Sequence, residues 1–322
     1  MKKECPEKGF CRPHFKFRLS PVTVLEAIQK STEFLGKKDV ESPRLQTELL
    51  LAHLLKMPRM KLYLNFDRVL TTVETDGLRE SVRRRGQREP LQHITGSTSF
   101  CGYEISVNRN VLVPRPETEM LAELGWQFIQ QIEKRTEPQT EPAANPSRAA
   151  RILDFCTGSG CIAIVLAAKC PPANIVATDI SPEALALALE NATKNNVAGR
   201  IEFRQGDGFA ALVNVGDAAV LRFDLILSNP PYIPSAEIAT LDPEVRDFDP
   251  GLALDGGADG LEFYRRLATE AEPFLTAGGK MMVEFGDGQA DAIKKILEDE
   301  KWIVEAVKED YSQRARILVA HR

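Results

Sequence analysis

From residue 151 onward, short apolar runs alternate with stretches of helical period, and nothing else in the chain constrains its fold as strongly. The spacing predicts strands at 151–155, 174–178, 201–205, 223–228, 280–285, 302–308 and 316–320. Helices fit between them at 160–169, 182–195, 261–275 and 289–300, with Ser181-Pro182 a good cap for the second. Strands separated by helices run parallel and are covered on both faces, so the expectation is an α/β fold on a mostly parallel sheet. Only 309–315 separates the last two strands, too little for a helical crossover, and that pair should be antiparallel.

In such a sheet ligands bind beyond the carboxyl ends of the strands. Four of these ends carry polar or glycine-rich sequence. The first runs through Asp154-Phe155-Cys156-Thr157-Gly158-Ser159-Gly160 into a helix, whose free N–H groups and close backbone suit a dinucleotide, a phosphate or only a tight turn. The second ends in Asp179, placed to accept from ribose hydroxyls. The third ends in Gly206-Asp207-Gly208-Phe209, an acceptor for an adenine amine beside an aromatic ring. The fourth ends in Ser228-Asn229-Pro230-Pro231-Tyr232. Two prolines stiffen that corner and remove two donors, Asn229 both donates and accepts, and Tyr232 adds a flat face. The corner suits a planar group bearing an NH2, although Asn and Pro are also ordinary turn residues.

No Gly-Lys-Ser/Thr follows the glycines, which argues against a nucleoside triphosphate, and none of the four histidines lies at a strand end to serve a Ser/His/Asp set. Carboxylates for ribose and adenine without a phosphate clamp suggest S-adenosylmethionine, whose sulfonium makes its methyl electrophilic without a metal. A formal charge of −5 argues against general nucleic-acid binding, and no apolar run approaches a membrane span. Cys5, Cys11, Cys101, Cys156, Cys161 and Cys170 show no Cys-x-x-Cys pairing, which fits reduced thiols in a cytoplasm. Cys5, Cys11 and His14 offer three possible metal ligands, but a loose basic tail explains them better.

Ahead of the sheet, residues 1–20 read as an extension and 21–90 as a helical bundle. Its first helix buries Val24, Leu25, Ile28 and Leu35; the second, capped by Ser42-Pro43, faces Leu45, Leu49, Ala52, His53 and Leu55. Short helices follow at 60–66 and 72–88, the latter carrying Arg79, Arg83, Arg84, Arg85 and Arg88, either a solvated face or a contact for an acidic partner or RNA. Residues 91–114 form a connector in which 94–100 and 103–107 pair as a β-hairpin around Cys101-Gly102. A helix opens at Pro114-Arg115-Pro116 and leads into a proline-rich linker at 133–150, inside a catalytic domain spanning 115–322.

The combined motifs resemble the release-factor glutamine methyltransferase family (PrmC, also called HemK). They are Pro90-Leu91-Gln92-His93-Ile94-Thr95-Gly96, then Val111-Leu112-Val113-Pro114-Arg115-Pro116-Glu117-Thr118-Glu119, the glycine loop, Asp179, the Asn-Pro-Pro-Tyr corner, and 253–261. The likeness covers about 22–322 apart from the linker. Asn-Pro-Pro-Tyr alone is shared with DNA and RNA adenine methyltransferases; joined to Pro-Arg-Pro-Glu-Thr-Glu it is far more specific.

The resemblance implies a Rossmann-like class I methyltransferase domain with a seven-stranded sheet, an N-terminal helical domain that recognises substrate, and a hairpin connector. It implies methyl transfer from S-adenosylmethionine, leaving S-adenosylhomocysteine, to the glutamine nitrogen of the Gly-Gly-Gln motif in class I release factors, which tunes translation termination. Cofactor contacts fall to Cys156, Thr157, Gly158, Ser159, Gly160 and Asp179, with Asp207, Gly208, Phe209 and Asn229 completing that set. Asn229, Pro230, Pro231 and Tyr232 hold the substrate glutamine, and Asn229, Pro230 and Tyr232 serve catalysis. No metal, stable nucleic-acid partner or membrane is implied. The same pocket admits a ribosomal-protein glutamine or a nucleic-acid adenine as alternatives. Three departures stand out: Gly208 where an aromatic is common, which leaves adenine stacking to Phe209; Asp249 where glutamate usually precedes Pro250; and a longer linker and extension.

Overall fold

The computed structural model describes residues 22–136, 149–213 and 221–322, and these divide after Gln87 into two units. The candidate metal ligands Cys5, Cys11 and His14, and most of the 133–150 linker, lie outside the described residues.

The first unit is helical: α1 (Val24–Gly36), α2 (Pro43–Leu54), α3 (Arg59–Tyr63) and α4 (Thr72–Gly86). Helices α1 and α4 start in full capping boxes, Thr23 with Glu26 and Thr71 with Glu74, each satisfying two otherwise orphaned N–H groups. Ser42 behaves differently from expectation: it sits left-handed at φ 46° and makes no side-chain cap, so Pro43 alone starts α2. The buried face of α2 is also rotated from the expected one. Thr47, Glu48, Leu50, Leu51 and Ala52 are buried, whereas Leu45 is 42% exposed and His53 lies in solvent. Glu48 explains the rotation. Its carboxylate accepts from Arg44 at 3.0 Å and the Tyr63 hydroxyl at 2.9 Å, so a charged residue occupies a core position that a purely apolar reading skips. In α4, Arg79 and Arg83 pair with Asp76 and Glu80 on their own helix, and Arg85 is buried against Gln46.

The second unit begins with α5 (Leu91–Thr95), closed by Gly96 at φ 79°. Residues 94–96 therefore end a helix, and the hairpin arm is shorter than expected: β1 (Ser97–Phe100) pairs antiparallel with β2 (Tyr103–Ser106). Then come α6 (Pro116–Thr136), β3 (Arg151–Phe155), α7 (Cys161–Lys169), β4 (Asn174–Asp179), α8 (Pro182–Lys194), β5 (Ile201–Gln205) and β6 (Phe223–Ser228). The chain ends with α9 (Pro243–Arg246), α10 (Glu262–Glu270), β7 (Leu275–Glu284), α11 (Ala290–Asp299), β8 (Ile303–Glu309) and β9 (Ala315–His321).

The seven strands are ordered β5-β4-β3-β6-β7-β9-β8, parallel except β9, which runs antiparallel to both neighbours. Side chains alternate across the sheet, so Ile152, Leu225 and Leu227 pack on one face, and Leu153 and Ile226 on the other. Strand β7 starts five residues before the expected position, and its register with β6 jumps from Leu275 to Lys280, with Gly278 at φ 79° in the bulge between them. Strand order reverses between β3 and β6, whose last residues Phe155 and Ser228 are register partners. The glycine loop and the Asn-Pro-Pro-Tyr corner thus leave the sheet side by side at its switch point. Among the described residues no helix is long and apolar enough to cross a membrane.

Candidate active site

The glycine loop is held from below by Asp154, which is fully buried. Its Oδ2 accepts from the Thr157 hydroxyl at 2.6 Å and from the Ala163 N–H at 3.1 Å, tying strand, loop and α7 together. Burial pushes its carboxyl up to about 7. Asn191 of α8 adds a second tie, donating to the carbonyls of Ser106 and Ser159 at 3.0 Å each. Gly160 makes the final turn into α7 at φ 78°, where an added Cβ would lie 2.9 Å from that of Ala188. Gly160→Ala combines a left-handed conformation with overpacking, and thermal or denaturant unfolding should show a loss of about 2–4 kcal/mol.

Above the loop lies a cavity of about 370 Å³ bordered by Cys156, Thr157, Gly158, Ser159, Asp179, Asp207 and Gly208, with Asn229 and Pro231 on its far side. Asp179 ends β4 and accepts from the N–H groups of Gly158 at 2.9 Å and Ser181 at 3.0 Å. Each of its oxygens keeps a further lone pair for a ligand, and burial raises its pKa. Asp207 is engaged by Arg266 at 2.7 Å. A side chain at Gly208 would collide with that same guanidinium, so Arg266 fills the space an aromatic would take.

The structure corrects two sequence expectations here. Phe209 does not stack on a ligand: its ring is 3% exposed, with its centroid 4.9 Å from those of both Phe155 and Phe274. A large apolar ring gains more from burial than from a solvent-facing cavity wall. The aromatics that border the cavity are Phe155 at the end of β3 and Phe263 of α10, and sequence reading missed Phe263 because it sits in an ordinary amphipathic helix. Gly160, for its part, shapes the turn but borders neither cavity.

A second cavity of about 280 Å³ opens on the other side of Asn229, bordered by Tyr232, Arg115, Glu117, Glu284 and Arg316. The corner between the cavities is rigid. The Ser228 hydroxyl donates to the Phe155 carbonyl at 2.8 Å, and the Tyr232 carbonyl accepts from Gln289 at 2.8 Å. The next residue, Ile233, exchanges bonds with the 253–261 motif, donating to Leu254 O and accepting from Gly256 N–H. Burial raises the Tyr232 phenol to about 12, so it stays protonated. Pro231 borders the first cavity; Pro230 is buried and borders neither.

Asn229 borders both cavities, and its Nδ2 donates to the Thr118 hydroxyl at 3.1 Å. The carboxamide is thereby turned so that Oδ1 is left as an acceptor. Arg115 of the Pro-Arg-Pro-Glu stretch pairs at 2.8 Å with Asp249, whose carboxyl burial pushes up to about 6 against the pull of Arg115. Aspartate thus keeps a charge partner here. Glu284 and Arg316 were invisible as site residues in the sequence, Glu284 being one charge at the end of an apolar run. Among the described residues no three His, Cys, Asp or Glu side chains group together as metal ligands.

Two family patterns match the chain: the PrmC N-terminal domain over residues 26–96 and the methyltransferase small domain over 141–241. The release factor glutamine methyltransferase of Geobacter sulfurreducens is 42% identical over 84% of this chain and 87% of its own. That of Chlorobaculum tepidum is 40% identical, covering 85% and 89%. Among solved structures, a ribosomal protein L11 methylase from Lactobacillus delbrueckii subsp. bulgaricus is 21% identical over 64% of this chain and 78% of its own, with a TM-score of 0.41.

Proposed function

Because this chain belongs to the release factor glutamine methyltransferase family, we propose that its two adjoining cavities divide one reaction between them. The enzyme methylates the side-chain nitrogen of a release-factor glutamine, using S-adenosylmethionine. The first cavity suits that cofactor chemically, since Asp179 and Asp207 border it and can accept from ribose hydroxyls and an adenine amine. Its volume also falls within the usual range of roughly 300–1,000 Å³ for small-molecule sites. When bound, the cofactor supplies an electrophilic methyl on a positive sulfur.

The rest is the work of this chain's residues. The glutamine side chain enters from the second cavity, and the Asn229 Oδ1 accepts one of its N–H protons. A carboxamide nitrogen is a weak nucleophile because its lone pair is delocalised, so an acceptor on its proton both aims it and raises its electron density. Tyr232 packs against the amide, and Pro230 and Pro231 hold the corner still. Pro230, which the sequence reading put among the catalytic residues, borders neither cavity and acts here by stiffening the corner. The helical first unit reads the release factor, and the enzyme works where translation occurs, in the cytoplasm.

One observation carries this reading: the bond from Asn229 Nδ2 to Thr118, which occupies the donor end and leaves Oδ1 to accept on a residue that borders both cavities. The test is transfer of labelled methyl to a class I release factor. Its Gln→Glu version offers a carboxylate to an acceptor, and leaving buried polar groups unpaired costs about 1–3 kcal/mol or more. Label should therefore appear on the native factor and be absent from that variant. Equal labelling of both, or label on nucleic acid only, would defeat the assignment.

A further inference from the structure

On the methyl-transfer reading above, the reaction takes place where the two cavities meet. Among the described residues four border both cavities: Leu112, Arg115, Asn229 and Ala253. Two of these are apolar. Of the polar pair, Asn229 accepts from the substrate nitrogen, which leaves the role of Arg115 open. A carboxamide has a second end. Its oxygen is bonded to the same carbon as its nitrogen, so a donor for that oxygen must also stand close to this boundary.

Arg115 is held for such a task. Pro116, which opens α6, restricts its backbone. Its carbonyl accepts from the Thr118 N–H at 3.1 Å, and the Thr118 hydroxyl accepts from Asn229 Nδ2 at 3.1 Å. One turn of chain therefore ties together the two polar residues of the boundary. The Arg115 Nη2 donates to Asp249 at 2.8 Å, the aspartate side chain being 1% exposed and the arginine side chain 37%. That bond takes one of five N–H donors, and the other four have no partner among the described residues. The other donors nearby, Tyr232 and Arg316, border the second cavity alone.

Resting on the methyl-transfer reading, we propose that Arg115 is a specificity-determining residue: it donates to the side-chain oxygen of the substrate glutamine while Asn229 accepts from its nitrogen. The two read both ends of the carboxamide and present the nitrogen, not the oxygen, to the methyl. Charge favours a neutral acceptor at this place. A bare guanidinium would repel the cofactor's positive sulfur and draw anions. Paired with buried Asp249, it offers hydrogen-bond direction with little net charge.

The experiment is a double-mutant cycle on the full-length enzyme. It sets Arg115→Met against a release factor whose glutamine is replaced by methionine, a side chain of similar length without the carboxamide. Affinity for each factor is measured in the presence of S-adenosylhomocysteine, beside label transfer and cofactor affinity. Label transfer by the unaltered enzyme is the control, and its failure would reject the functional reading itself. Given that control, kcat/KM on the native factor should fall on the order of 10–100-fold in Arg115→Met, the usual effect of losing a hydrogen bond from a charged donor. Arg115→Lys should fall between, since an ammonium donates but lacks the planar fork that holds Asp249 and the substrate together. The native factor should bind Arg115→Met more weakly, the Gln→Met factor should bind both enzymes equally, and cofactor affinity should not change. Loss of the cation leaves a buried carboxylate unpaired, so Arg115→Met/Asp249→Asn repeats the measurements with both charges removed and should give the same pattern. Equal loss of affinity for both factors would make Arg115 a brace for the 249 loop and overturn the proposal. So would weakened cofactor binding with turnover restored at saturating cofactor, which would assign Arg115 to the cofactor's carboxylate. Unchanged turnover would overturn it as well.

Discussion

Asn229→Ala should lower kcat by roughly 10²–10³-fold, the usual consequence of removing one preorganised group that acts on the transition state. The reason lies in what the side chain does and where it stands. Asn229 borders both cavities, and its amide is pinned by Thr118, so Oδ1 needs no reorganisation to receive the substrate proton. Alanine leaves the incoming nitrogen unaimed and without the acceptor that Asn229 offers one of its protons. Cofactor affinity should change far less, because the carboxylates at the ends of β4 and β5 are untouched. Isothermal calorimetry with S-adenosylhomocysteine, run beside single-turnover methyl transfer, separates the two effects. An alanine variant with wild-type turnover would remove Asn229 from the chemistry.

The second large effect is expected at Asp179. Replacing it by alanine should weaken cofactor binding by roughly 10–100-fold, since hydrogen bonds to a charged group contribute about 1.5–3 kcal/mol. Two losses coincide. Ribose hydroxyls lose their acceptor, and the N–H groups of Gly158 and Ser181 lose the carboxylate that fixes the glycine loop against the start of α8. Asp179→Asn keeps one acceptor oxygen and should fall between the two. Turnover at saturating cofactor should recover most of its rate, which sets this variant apart from Asn229→Ala. Unchanged affinity in Asp179→Ala would mean that the first cavity holds something other than a ribose.

Much of this site is legible from local chemistry alone. Asp154 through Gly160, Asp179 and Asn229 through Tyr232 sit at strand ends, and a strand end is a one-dimensional feature: an apolar run that stops. Their convergence follows from the parallel topology, which the alternation of strands and helices already implies. The errors have a different character. Phe209 follows an acidic strand end just as a stacking residue would, yet its ring is enclosed by Phe155 and Phe274, which come from distant parts of the chain. Leu45 and Leu55 look like the core face of α2, but the buried face carries Glu48, acceptable there because Arg44, Arg59 and Tyr63 gather around it.

Sequence by itself determined the layered α/β architecture, the antiparallel end of the sheet, and the loops that carry the site, because hydrophobic period and turn chemistry are local properties. Only tertiary structure decided that Phe263 and not Phe209 borders the first cavity, that Asp249 still pairs with Arg115, and that Thr118 pins the Asn229 amide. Those are contacts between residues far apart along the chain, such as Thr118 in α6 and Asn229 just beyond β6. Burial and hydrogen-bond direction belong to such contacts, and no stretch of sequence contains them.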